Sequence, residues 1–352
     1  MNTATDTREA NDSRPGAFDP VATWLLVICA MVFAMIVLGG VTRLTQSGLS
    51  MVDWHPVTGW LPPLTEAAWQ AAFDAYRQSP EYRHVNAGMS LSGFQEIFWL
   101  EYLHRLFGRI IGVVFFIPFA WFLAKGRLNG PIRKKCAILF VLGGLQGVLG
   151  WYMVKSGLVD EPSVSQYRLA AHLSLALVIY LFALWTALDI LQPRYAVVPR
   201  DRARFVAWAT GVLGFIFLTV FSGALVAGLD AGLMYNTFPL MEGRLLPADA
   251  FYLRPVYLNF FEDRATVQFD HRVLAVSTVC LVVAFWAGVH RADAPLGIKR
   301  GAGFMALAVL AQAGIGIATL LTAVPVALGA LHQAGAVVLL TSALWCLHQA
   351  RR

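Results

Sequence analysis

The sequence predicts an all-α integral membrane protein whose eight transmembrane helices form two pseudo-symmetric four-helix bundles. Three observations carry that expectation. Of 352 residues, 58% are hydrophobic and 14% charged, with a mean hydropathy of +0.61, which lies outside the soluble range. Eight apolar stretches each approach the roughly 20 residues needed to cross about 30 Å of hydrocarbon. Short motifs at spans 1 to 4 return at spans 5 to 8.

The stretches run approximately 21–41, 103–123, 136–154, 169–191, 205–227, 273–289, 302–322 and 326–347. The first is too long for a signal-peptide core and no small-residue cleavage pattern follows it, so it reads as a retained anchor. Asp6, Glu9, Asp12 and Asp19 stand beside Arg8 and Arg14 in the tail 1–20. Organelle transit peptides are poor in acids, so a bacterial inner membrane is the expected location.

Orientation follows from the basic residues, which are retained on the cytoplasmic side. Lys125, Arg127, Arg133, Lys134 and Lys135 follow span 2; Arg194, Arg200, Arg202 and Arg204 follow span 4; Arg291, Lys299 and Arg300 follow span 6; Arg351 and Arg352 end the chain. Both termini and the linker 192–204 are therefore placed in the cytoplasm. The long connections 44–101 and 228–270 face outward. The net charge of +6 thus reports orientation. It points to no nucleic-acid partner, because the bases are scattered through short loops and form no stripe. Cys29, Cys136, Cys280 and Cys346 show no CxxC or CxxCH spacing, which argues against a disulfide framework, a zinc ribbon and covalent c-type haem. In the first long connection Trp69, Ala72, Phe73 and Tyr76 recur at helical spacing. They predict a short helix lying in the outer interface and roofing a site.

The repeat divides the chain into a 21–191 half and a 205–352 half. Gly39-Gly40-Val41 and Ser47-Gly48-Leu49 after span 1 pair with Ser222-Gly223-Ala224 and Ala231-Gly232-Leu233 after span 5. Glu101-Tyr-Leu-His104-Arg105 pairs with Gln268-Phe-Asp-His271-Arg272, Gln146 with Gln312, and Ala171-His172-Leu173 with Leu331-His332-Gln333. An even number of spans per half makes this a parallel repeat about an axis along the membrane normal.

That topology puts His104, His172, His271 and His332 at one depth, near the outer ends of spans 2, 4, 6 and 8. Ionisable side chains inside spans are costly and usually functional. Neutral imidazole suits Fe, Cu or Zn. Paired histidines on facing apolar helices describe a haem site better than a tetrahedral zinc site, which no thiolate or carboxylate set completes. Gly108, Ala176, Ala275 and Ala336, one turn further on, leave room for a flat macrocycle or another helix. His55, His84, His290 and His348 have no repeat partner and receive no role.

The halves differ three residues before the first histidine of each, on the same helical face. Glu101 in the first half can move a proton or steady positive charge; Gln268 in the second can only hydrogen-bond. The first half is therefore read as the reacting site and the second as the seat of a permanent redox cofactor. The competing reading pairs Glu101 with Arg105 or Arg109. Arg105 and Arg272 suit carboxylate partners such as haem propionates, and anchoring at lipid headgroups explains them as well. Asp270 faces Leu103 in the repeat, and its role stays open.

These residues carry a resemblance. Glu101-Tyr-Leu-His104-Arg105 with Gly108-Arg109, the run from Gly228 through Met234-Tyr235-Asn236-Thr237-Phe238-Pro239 to Leu240, Asp270-His271-Arg272, and the first-loop runs Ser47 to Trp54 and Pro56 to Trp60 resemble the heme A synthase family. The likeness covers nearly the whole chain after residue 20 and is closest to the alphaproteobacterial and mitochondrial branch. No cysteine lies between Leu44 and Glu101, so the Gram-positive branch's cysteine pair has no counterpart. The resemblance implies oxidation of a ring methyl of haem O to the formyl group of haem A by successive hydroxylations. It implies haem b on His271 and His332, the substrate haem on His104 and His172, and a catalytic Glu101. It also implies haem O synthase upstream, cytochrome c oxidase assembly factors downstream, and an electron partner that no motif identifies. Two rival classes are a diheme b-type cytochrome that only relays electrons and a parallel-repeat transporter. The transporter predicts helices broken at mid-membrane, for which Pro118 is the one clear interior candidate, and a proline kink accounts for it.

Overall fold

The computed structural model describes residues 19–52, 59–157, 164–192, 202–292 and 294–352. The acidic tail before Asp19, the loop residues Asp53, Trp54, His55 and Pro56, the acids Asp160 and Glu161, and the linker bases Arg194 and Arg200 lie outside the described residues.

Eleven α-helices follow in order among the described residues: α1 (Pro20–Leu44), α2 (Glu66–Tyr76), α3 (Pro80–His84), α4 (Leu91–Ala124), α5 (Gly130–Gly157), α6 (Gln166–Leu191), α7 (Arg202–Gly228), α8 (Asn259–Glu262), α9 (Arg264–Arg291), α10 (Leu296–Leu321) and α11 (Val326–Arg351). Eight of them, α1, α4 to α7 and α9 to α11, are long and apolar enough to cross a membrane. The first is fixed at its start by Asp19, whose carboxylate accepts from the Val21 and Ala22 amides at 2.8 and 3.0 Å, with Pro20 at the first helical position.

Within 19–191 each of α1, α4, α5 and α6 packs on two neighbours in a ring, and α7, α9, α10 and α11 do the same in the remainder. The two groups meet along α1 with α11 and α6 with α7. Leu25, Leu177, Val212, Ile216 and Leu340 lie there with at most 2% of their surface exposed. Polar ties cross the same seam: Tyr180 and Thr341 hydroxyls are 2.8 Å apart, and Gln333 Nε2 donates to the Ile36 carbonyl at 2.9 Å. Burial runs identically, residue for residue, over 171–188 of α6 and 331–348 of α11. Outward faces remain apolar: Phe304, Leu307 and Leu310 are all more than half exposed, as a lipid-facing stripe requires.

Two elements depart from the hydropathy reading. α4 has 34 residues, about 50 Å at 1.5 Å per residue, and starts twelve residues before its apolar stretch. α9 likewise starts at Arg264 rather than near residue 273. Their first turns are supported by folded connections rather than lipid, so apolar content does not mark them. The helix foreseen around Trp69 to Tyr76 forms as α2, with its apolar face packed on α4. Trp69 meets Phe98 at 4.9 Å, while Phe73 and Tyr76 meet Phe94 at 5.2 and 5.1 Å. The projecting turns of α4 offer aromatic partners that a lipid surface would not. Its Ala68, Ala72 and Ala75 line a cavity of about 290 Å³ with Ser50, Met51 and Arg105, so α2 does roof a hollow.

Phe94 is fully buried at the centre of this cap. Phe94→Ala should remove about 3–5 kcal/mol from docking of α2. Limited proteolysis should then cut 59–90 faster than in the parent protein while the spans stay protected; an unchanged cleavage pattern would contradict the packing described.

Candidate functional site

Each of the four interior histidines is set against a glycine of the preceding span. A Cβ built on Gly39, Gly150 or Gly223 would stand 3.0 Å from Cε1 of His104, His172 or His271, and one on Gly316 would stand 2.6 Å from that of His332. Only a bare backbone admits rings this close. These glycines are functional positions that motif reading missed in this role. Gly39 and Gly223 were visible as repeat members, although the contacts align Gly39 with Gly223, one residue off the Gly40 to Gly223 pairing taken from sequence.

The helices that carry His104 and His172 belong to one ring of four, and those that carry His271 and His332 to the other. Polar neighbours fix each ring. Nδ1 of His104 is 3.4 Å from the Thr42 hydroxyl, Nδ1 of His271 is 2.8 Å from Ser222 Oγ, and Nδ1 of His332 is 3.1 Å from Gln312 Nε2. Gln312 also donates to the His332 carbonyl at 2.8 Å, as Gln146 does to that of His172 at 3.1 Å. His172 is turned the other way, with Nε2 3.4 Å from Gln146 Nε2 and Nδ1 buried without a partner.

The long connections cross the same helices in the same manner. Met51 and Tyr235 each lie over the turn that carries the first histidine of a half. Arg105 donates to the Met51 carbonyl at 2.9 Å; Arg272 donates to the carbonyls of Tyr235 and Thr237, each at 2.7 Å. Both arginines thus hold loop backbone, a contact that neither the propionate nor the headgroup reading had suggested. The polarity inverts three residues earlier. Gln268 Nε2 donates to the Tyr235 carbonyl at 3.0 Å. Glu101 instead accepts, at Oε2, from the Met51 amide and the Ser50 hydroxyl, both at 2.7 Å, and its Oε1 receives Arg105 at 2.5 Å. The pairing of Glu101 with Arg105, weighed as the competing reading, is therefore present. With 3% and 8% side-chain exposure, it is a buried ion pair of the kind in which removing one partner costs about 3–5 kcal/mol.

Gly108 does not face an open slot, since a Cβ there would lie 3.1 Å from Met35 Cε; it admits α1. Asp270 is half-buried. His348 is buried and 3.2 Å from Asp189 Oδ1, at the opposite end of α11 from His332.

The donor set suits a macrocyclic iron. An iron already held by four pyrrole nitrogens would have room for two imidazoles, and each half supplies two. Among the described residues no hydrogen bond engages Nε2 of His104, His271 or His332, while Nδ1 is held, the division of labour usual for ligating histidine.

A family model described as "Cytochrome oxidase assembly protein" matches residues 22–344. The chain belongs to this family. Among similar proteins, a heme A synthase of Nitrosospira multiformis is 50% identical over 98% of this chain and 97% of its own length. A heme A synthase of Parvibaculum lavamentivorans is 50% identical over 94% of each, and one of Paramagnetospirillum magneticum is 48% identical over 100% and 99%.

The glycine contacts are testable by stability alone. Gly316→Ala should lower stability by about 1–3 kcal/mol in thermal unfolding, because the new methyl meets the His332 ring. Gly303→Ala, with nothing within 4 Å of its Cβ, should leave the melting temperature unchanged or raise it. Equal behaviour of the two variants would contradict the contact.

Proposed function

We propose that the chain is a heme A synthase that oxidises the ring methyl of haem O to the formyl of haem A for cytochrome c oxidase. The first half holds the substrate haem between His104 and His172, and the second holds haem b between His271 and His332. One observation carries the assignment of roles: loop-to-helix geometry recurs in the two halves, but a carboxylate stands at Glu101 where a carboxamide stands at Gln268. A site that only conducts electrons has no need of that difference.

The protein lies in the bacterial inner membrane with both termini cytoplasmic and the histidine pairs near the periplasmic face. Haem O synthase supplies the substrate, and oxidase assembly factors take the product. When bound, haem b supplies one-electron transfer to or from a partner outside the chain. The protein does the rest through position and charge. The glycine-backed imidazoles fix the substrate ring, and the apolar faces between helices accept its isoprenoid tail. Glu101 takes up a proton from the reacting methyl or balances positive charge there, while water or hydroxide supplies oxygen. Arg105 and the Met51 amide hold Glu101 in place and keep its charge compensated.

Glu101→Gln keeps the shape and one acceptor while removing the charge. It should lower haem A yield by at least about a hundredfold, the scale of acid–base catalysis, with haem content preserved; an unchanged yield would remove Glu101 from the mechanism. His271→Ala should abolish the low-spin b-type absorbance of protein that still inserts, and persistence of that spectrum would refute the ligand assignment.

A further inference from the structure

The end of the bundle away from the four interior histidines holds a cavity that the proposed reaction leaves unused. It measures about 310 Å³ and is lined by Lys135, Trp185, Asp189, Gln192, His348, Arg351 and Arg352. These residues come from the start of α5 and the last turns of α6 and α11, so the cavity lies across the seam between the two halves.

Asp189 is the one acidic side chain in that lining among the described residues, and its charge is taken up inside the site. Lys135 Nζ donates to its Oδ2 at 2.6 Å, and His348 Nε2 to its Oδ1 at 3.2 Å. Gln192 Oε1 accepts from Gln349 Nε2 at 2.7 Å and from Arg352 at 3.2 Å. Arg351 is exposed and lays its guanidinium over the Trp185 ring, 5.4 Å from the centroid. A stacked guanidinium keeps its N–H donors in its own plane, where an anion can reach them.

Bases at the ends of α6 and α11 are expected to offset the negative ends of those helices. That role does not explain His348. Its side chain is 3% exposed, its ring meets Trp185 edge to face at 5.0 Å, and its Nδ1 is buried without a hydrogen-bond partner. With the ring proton directed to Asp189 through Nε2, Nδ1 carries a lone pair. A buried acceptor left unmatched destabilises the fold, so the cavity calls for a donor as well as an anion.

A phosphodiester that carries glycerol supplies both. The cavity lies at the ends of three spans, where lipid headgroups surround a membrane protein, and Leu191 beside Gln192 is 42% exposed on an apolar helix. Basic pockets between spans suit anionic headgroups. We propose that this cavity binds the phosphoglycerol headgroup of an anionic phospholipid. The phosphate lies on Arg351 and on Lys135, whose ammonium has donors beyond the one given to Asp189. A glycerol hydroxyl donates to Nδ1 of His348. The headgroup thereby ties α6 of the first half to α11 of the second, whatever haem the histidines hold.

The experiment titrates the purified intact chain, in uncharged detergent, with phosphatidylglycerol, and reads the thermal midpoint together with the lipid retained in native mass spectrometry. Phosphatidylglycerol should raise the midpoint and be retained as a single lipid, whereas phosphatidylcholine should do neither. Phosphatidylmethanol, which has the diester charge without the glycerol hydroxyls, should bind about fivefold more weakly. Arg351→Gln should weaken phosphatidylglycerol binding about fivefold. Arg127→Gln, which removes an exposed arginine stacked on Trp121 at the same end but outside the cavity, should leave it unchanged. No preference for phosphatidylglycerol over phosphatidylcholine would overturn the site, as would equal losses in the two arginine variants, which a general attraction to the basic surface would produce. Equal binding of phosphatidylmethanol would overturn the hydroxyl contact with His348. A midpoint raised as far by sodium glycerol 3-phosphate as by the lipid would overturn the membrane source.

Discussion

A glycine backbone pressed against an imidazole edge occurs four times in this protein, and the spacing of the bundle depends on it. With a Cβ that would fall 2.6–3.0 Å from ring carbon, any larger residue would press on the ring where α1 meets α4, α5 meets α6, α7 meets α9 and α10 meets α11, most severely at Gly316. The contact fixes each ring in the plane its helices dictate. It also places the histidines where a hydroxyl or carboxamide can reach Nδ1 and leave Nε2 of three of them uncommitted. Packing and chemistry are therefore set by the same few atoms. Close packing limits the rotational freedom of each ring without adding a polar group to the apolar interior.

The long-loop end adds the asymmetry. Met51 and Tyr235 hold Arg105 and Arg272 alike, yet the backbone offers an N–H to Glu101 and a carbonyl to Gln268. A carboxylate and a carboxamide are each matched to the group that the loop presents. The difference is thus built into backbone as well as side chain, so exchanging Glu101 and Gln268 alone would leave mismatched partners at both sites. The α2 cap, anchored on Phe94 and Phe98, covers the hollow beside Ser50, Met51 and Arg105.

Much of this was legible in the sequence because membrane spans and repeats write themselves in composition and order. The eight spans, the four interior histidines and the Glu101 to Gln268 contrast all came from patterns. The projecting turns of α4 and α9 did not, since residues 91–102 and 264–272 are mixed in polarity and are stabilised by loops far away in sequence. Trp69, Phe73 and Tyr76 revealed a helix but not what it covers, because amphipathicity names a face and not its partner. Gly39 and Gly223 were visible, but a register one residue off hid their common contact. Arg105 and Arg272 were read as partners for propionates or headgroups, and the structure adds loop carbonyls at hydrogen-bonding distance from both; no local signal in the sequence announces that contact.

The central claim is that the two imidazole pairs hold different haems, one consumed and one resident. It is tested most directly by extracting and chromatographing the haems from the purified chain after co-expression with haem O synthase. The account predicts haem B together with haem O or haem A on the same protein. Haem B alone, with no haem O or haem A recovered, would contradict it and leave a diheme electron relay.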